Sequence, residues 1–127
     1  MKSGSATRSE RDRGIAANQI RDLCEQIARE FNPEKIILFG SHAHGRPRWD
    51  SDVDLLVIMP FSGRPAEQAS KIRSRIQTPV ALDLLVRTPH QISDRLALGD
   101  FFISEIVQHG KTIYEAHHKG MGRQSGR

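Results

Sequence analysis

Ser51-Asp52-Val53-Asp54-Leu55-Leu56-Val57-Ile58-Met59 is an apolar run with two carboxylates at its entry. Strand side chains alternate between faces, so Asp52 and Asp54 project to one side while Val53, Leu55 and Val57 face the other. Two like charges at neighbouring same-face positions repel each other, and beside an apolar sheet they also lose hydration. A hard cation relieves both penalties, and Mg²⁺ is typically held by one or two carboxylates together with substrate phosphates. Read alone, Asp-x-Asp is equally a strand end that faces water.

A third carboxylate shifts that balance. Asp83 interrupts Val80-Ala81-Leu82 and Leu84-Leu85-Val86, in the middle of another apolar run. The 28 residues between Asp54 and Asp83 suffice for a loop, a helix over Pro65 to Ile76 and a return strand. Setting that strand beside the first brings Asp83 toward Asp52 and Asp54. Three convergent carboxylates can hold divalent ions for an in-line displacement at phosphorus. Upstream, Gly40-Ser41 closes the apolar stretch Lys35 to Phe39. Glycine there lets the backbone approach a ligand, and the following turn offers amides to an anion. As a dipeptide Gly-Ser is only a turn signal; its meaning comes from standing 11 residues ahead of Asp52.

Around these stretches the pattern is α-β-(short α)-β-α-β-α-α, an α/β (α+β) architecture with a small mixed three-stranded core sheet packed by helices. Ile20, Leu23, Cys24, Ile27, Ala28 and Phe31 recur at helical spacing from about Ala16, and Asn32-Pro33 ends that helix. A turn and a short helix are expected over Ser41 to Asp50. Strands are expected over Asp52 to Met59 and Pro79 to Arg87, and helices over Pro89 to Leu98 and Asp100 to Gln108. Thr112 to Tyr114 either pairs briefly or docks against the domain.

The 127 residues correspond to one domain. The net charge is +4, but its location decides its meaning. Residues 1–14 carry Lys2, Arg8, Arg11 and Arg13 against Glu10 and Asp12, and residues 116–127 carry Lys119, Arg123 and Arg127 with no acid. Both read as disordered basic tails. The body, 15–115, is then left with a net charge of −1. That balance, with few aromatics to stack bases, argues against direct nucleic-acid binding by the folded part. No apolar run approaches the ~20 residues of a membrane span, and no apolar signal segment opens the chain. The single cysteine, Cys24, lies on the helical stripe as a core residue and fits a reducing, cytoplasmic setting.

Leu38-Phe39-Gly40-Ser41-His42-Ala43-His44-Gly45 followed by Ser51-Asp52-Val53-Asp54-Leu55-Leu56-Val57 resembles the polymerase-β-type nucleotidyltransferase superfamily, and within it the minimal nucleotidyltransferase branch. The matching positions are Gly40, Ser41, Gly45, Ser51, Asp52, Asp54, Leu55 and Asp83; the ending Gly110-Lys111-Thr112-Ile113-Tyr114-Glu115 is also similar. The resemblance implies that Gly40 and Ser41, with His42 and His44, bind the phosphates of ATP. It implies that Asp52, Asp54 and Asp83 hold Mg²⁺ or Mn²⁺ and are catalytic, Asp83 helping to deprotonate an acceptor hydroxyl. The family commonly carries Arg where His42 and His44 stand here, which makes triphosphate affinity weaker or pH-dependent. Arg46 and Arg48 can supply the missing charge. A transition-metal site at His42 and His44 is the alternative, against a neighbourhood of oxygen ligands.

Only 44 residues follow Asp83, too few for a separate acceptor-binding domain, so the acceptor is expected on another chain or a homo-oligomer mate. Phe101-Phe102-Ile103, with Ile106 and Val107, offers more apolar surface than one helical face needs, either as an interface or as the domain's own core. The resemblance suggests a helical HEPN-type toxin as partner, this chain being the antitoxin. Two functions remain open at this point: transfer of AMP to a hydroxyl on that partner, or its neutralisation by occlusion without turnover.

Overall fold

The computed structural model describes residues 8–45 and 52–116, with side chains in the first helix described from residue 17 onward. Helix α1 (Arg8–Phe31) buries Ile20, Leu23, Cys24 and Ile27, the stripe that the three- and four-residue spacing requires. It begins at Arg8 rather than near Ala16, so residues 8–14, grouped above with a disordered tail, have helical backbone. Arg and Glu are good helix formers, and a helix anchored downstream extends readily through them. Residues 1–7 and 117–127 lie outside the described residues. The helix stops where Asn32 adopts φ +52°, a left-handed conformation that asparagine tolerates, and Pro33 follows.

Four strands, rather than three, form the sheet among the described residues: β1 (Lys35–Phe39), β2 (Val53–Ile58), β3 (Leu82–Arg87) and β4 (Lys111–Glu115), in the order β3-β2-β1-β4. β1 runs antiparallel to both β2 and β4, and β2 runs parallel to β3. The parallel step needs a crossover, which α2 (Pro65–Arg75) provides. The sequence marks β4 only weakly because it is an edge strand, exposed along most of its length, with only Tyr114 partly buried. Its ladder is also broken by a register shift opposite Ile36 and Ile37. Gly110 makes the turn into it possible: a Cβ there would stand 2.5 Å from Ile37 Cγ2 and 2.6 Å from the Ile106 carbonyl.

Helices cover the sheet on both faces. On one, Ile20, Leu23, Ile27 and Ile72 pack against Ile36, Leu38, Val53, Leu55, Val57, Leu84 and Val86. On the other, α3 (Pro89–Ala97) and α4 (Phe101–His109) bring Ile92, Ile103 and Ile106 onto Ile37, Leu56 and Ile58. This double burial is why β2 reads as a nearly unbroken apolar run. Thr88 and Gln91 form a reciprocal capping box that starts α3, and Asp100 caps α4. The apolar segment 101–107 therefore divides. Ile103 and Ile106 belong to the domain's own core, whereas Phe101 and Phe102 are 76% and 54% exposed. Among the described residues no helix is long and apolar enough to cross a membrane.

Candidate active site

The register sets the site. Phe39 of β1 pairs with Asp54 of β2, and Asp54 pairs in turn with Asp83 of β3. Side chains directly opposite one another share a face, so Phe39, Asp54 and Asp83 make one row across three strands. The next row back is Ile37, Leu56 and Leu85, which α3 and α4 cover. The two carboxylates thus stand where the apolar cover ends: Asp54 half-buried, Asp83 exposed. Arg73 on α2 donates to the Leu82 carbonyl at 3.0 Å and so fixes the start of β3 beside Asp83. No local sequence signal marks that arginine.

The Asp54 and Asp83 carboxyls lie within hydrogen-bonding reach of each other. The pKa of Asp54 is held above the ordinary carboxylate value, first by loss of hydration, then by the charges of Asp83 and Asp52 and by the bond to Asp83, while His42 pulls it down. Like charges this close work against ionisation of Asp54. Hard oxygen ligands, mutual repulsion and an open edge fit a divalent cation between the two carboxyls. Asp52 is exposed at the entrance to β2 and acts on Asp54 through its charge. Among the described residues no three His, Cys, Asp or Glu side chains close into a metal-holding group. The three-carboxylate set expected from the sequence is present as a pair with Asp52 alongside.

The loop after β1 leans on this pair. Gly40 has φ +78°, and a Cβ built on it would collide with the Asp54 carboxylate. Backbone and acid are therefore in direct contact, and only glycine permits it. Residues 41–45 form a turn, with the Ala43 amide donating to the Gly40 carbonyl at 3.1 Å and Ala43 buried beneath. Ser41 and His42 are half-buried and His44 is exposed; His42 is near enough to Asp54 for its charge to be felt there. The short helix expected up to Asp50 is a turn as far as Gly45, and its remainder, with Arg46, Arg48 and Ser51, lies outside the described residues. Cys24 stays in the core, its thiol pushed up to about 12 by burial first and by Glu25 second. It is not a nucleophile at neutral pH.

A family model described as polymerase beta, nucleotidyltransferase matches residues 18–119. The chain belongs to this family. The match takes in β1, the Gly40-Ser41 turn, both strand carboxylates and β4, so the nucleotidyltransferase assignment and the site geometry concern the same residues. Among solved structures, the nucleotidyltransferase is similar to a candidate nucleotidyltransferase from Sulfolobus solfataricus, with 17% identity, a TM-score of 0.62, and coverage of 90% of this chain and 93% of that one. At that identity the likeness concerns the fold. No curated protein matches the chain.

Proposed function

We propose that this nucleotidyltransferase moves AMP from ATP to a hydroxyl on a partner protein. The observation that carries the reading is the Asp54–Asp83 pair pressed against Gly40. It joins a charge-repelled carboxylate pair to a turn whose backbone can approach an anion. In this reading Gly40 and Ser41 receive the terminal phosphates, through backbone amide and hydroxyl donors, and His42 and His44 flank them. Asp54 and Asp83, helped by Asp52, hold Mg²⁺ or Mn²⁺, which when bound supplies Lewis-acid stabilisation of the charge that develops at phosphorus. Asp83, the more exposed of the pair, accepts the proton of the attacking hydroxyl.

The partner in this reading is a helical HEPN-type protein, with this chain as its antitoxin. AMP adds negative charge and bulk to the partner and so obstructs a site that must bind RNA phosphate. The test is to co-purify the chain with a helical HEPN-type candidate partner, add ATP and Mg²⁺, and weigh the partner intact. Mass gained in AMP steps, and lost with Asp54→Asn, is expected. Tight binding and inhibition with no added mass would replace transfer by occlusion.

A further inference from the structure

The row that carries the carboxylates continues into an aromatic pair. Phe39, opposite Asp54 and next to Gly40 in the chain, meets Phe102 edge-to-face, with ring centroids 5.9 Å apart and planes at 82°. Phe102 is nonetheless 54% exposed. It sits in the first turn of α4, a helix held at both levels that matter: Ile103 and Ile106 are buried on the sheet, and Asp100 receives the Ile103 amide at 3.1 Å and Arg95 Nε at 2.9 Å. The ring is therefore presented to solvent from a fixed helix, beside the site, with Phe39 supporting it.

We propose that Phe102 is the stacking platform for the nucleobase of the triphosphate. The proposal rests on the phosphate-and-carboxylate reading above and extends it to the other end of the nucleotide. Asp54 stands one strand spacing, about 4.8 Å, from Phe39, and the Phe102 ring lies 5.9 Å beyond Phe39, two steps that a ribose together with its α-phosphate can bridge. Phosphates seated at Gly40 and Ser41 leave the base over the edge of α4. There it meets the exposed aromatic ring of Phe102. Every base has a π-face, so stacking of this kind tolerates any base and grips the larger purines better than pyrimidines. Phe101, on the same helix but 76% exposed and without the Phe39 contact, lacks that support.

The experiment compares binding of ATP and of inorganic tripolyphosphate to the full chain in Mg²⁺, by calorimetry, in wild type and in Phe102→Ala, Phe102→Trp, Phe101→Ala and Asp54→Asn variants. Aromatic stacking on a base is worth a factor of roughly 5–150 in affinity. Phe102→Ala should weaken ATP by about tenfold or more and leave tripolyphosphate unchanged, Phe102→Trp should restore ATP binding, and Phe101→Ala should match wild type. Equal ATP affinity in wild type and Phe102→Ala overturns the platform, as does an equal loss of both ligands, which would mean that Phe102 only holds the fold. Wild type that binds both ligands equally, with both lost in Asp54→Asn, removes the platform but keeps the phosphate site. Wild type that binds neither removes both. A dimer that dissociates on Phe102→Ala, with ATP affinity unmoved, makes this face a self-interface and also overturns the platform.

Discussion

Gly40→Ala tests the contact on which the site is built. Two separable penalties act there. The first is conformational: an alanine at φ +78° costs roughly 1–2 kcal/mol. The second is steric, because the new methyl collides with the Asp54 carboxylate and lies only 3.1 Å from Asp54 Cγ and 3.5 Å from its Cβ. Moving one oxygen does not relieve it; the whole carboxyl group must shift. Overpacking of this kind costs a further ~1–3 kcal/mol.

Gly45→Ala supplies the control, since Gly45 has a similar φ, +72°, but nothing within 4 Å of the added methyl. For a domain of this size, Gly45→Ala should lower the melting temperature by on the order of 5–10 °C, and Gly40→Ala by roughly 10–20 °C. Combining Gly40→Ala with Asp54→Ala should return its cost to that of the control, a coupling well beyond the ~0.5 kcal/mol scatter of independent sites. Thermal unfolding in metal-free buffer measures all five proteins: wild type, the Gly40→Ala, Gly45→Ala and Asp54→Ala single variants, and the double variant, whose cost is read against Asp54→Ala. Equal losses in the two alanine variants, or additive costs in the double variant, would refute the claim that the turn and the carboxylate are in contact.

Asp54→Asn should raise metal-free stability near neutral pH, since the folded-state pKa of Asp54 lies above its unfolded value of 3.8. For such a group the folding penalty is absent below the unfolded pKa and complete once pH passes the folded one. The stabilisation should therefore vanish in acid, and a melting series against pH that shows Asn to be neutral or destabilising throughout would sink this. Mg²⁺ should raise the melting temperature of wild type and not of the Asn variant. His42→Arg should tighten Mg-ATP about fivefold in calorimetry, the worth of one fixed, partly exposed charge near an anion, ~1 kcal/mol; unchanged or weaker binding would place the phosphates elsewhere. Cys24, with its thiol pushed up to about 12 and 2% exposed, should resist a thiol reagent at pH 8 until denaturant is added, and rapid labelling of the native protein would contradict its burial.

Much of the candidate site is legible in the sequence, because its elements are local. Asp52 and Asp54 are two residues apart, and a strand's alternation alone puts them on one side. Gly40-Ser41 follows an apolar run short enough to be recognised as a strand. Asp83 was legible as an anomaly, a charge in an apolar stretch, but its distance from Asp54 was not. The exposed segment 101–107 shows the limit from the other direction. Its composition signals surplus apolar surface, yet Ile103 and Ile106 prove to be core while Phe101, Phe102 and Val107 are exposed, a division that depends on which face α4 turns to the sheet.

Local chemistry is written in the order of residues: helices with single apolar stripes, strands with alternating or doubly buried faces, a glycine turn, and carboxylates on specific strands. Each follows from backbone periodicity and side-chain type over a few residues. Tertiary structure alone decided the rest. Parallel pairing of β2 with β3 in one register puts Asp83 opposite Asp54, and a slip of one residue would turn it to the other face. β4 joins the sheet through a ladder to β1 that its own exposed residues do not announce. The edge-to-face meeting of Phe102 with Phe39 joins residues 63 positions apart. Pairings of that range are set by how whole faces pack together, and no short stretch of the chain encodes them.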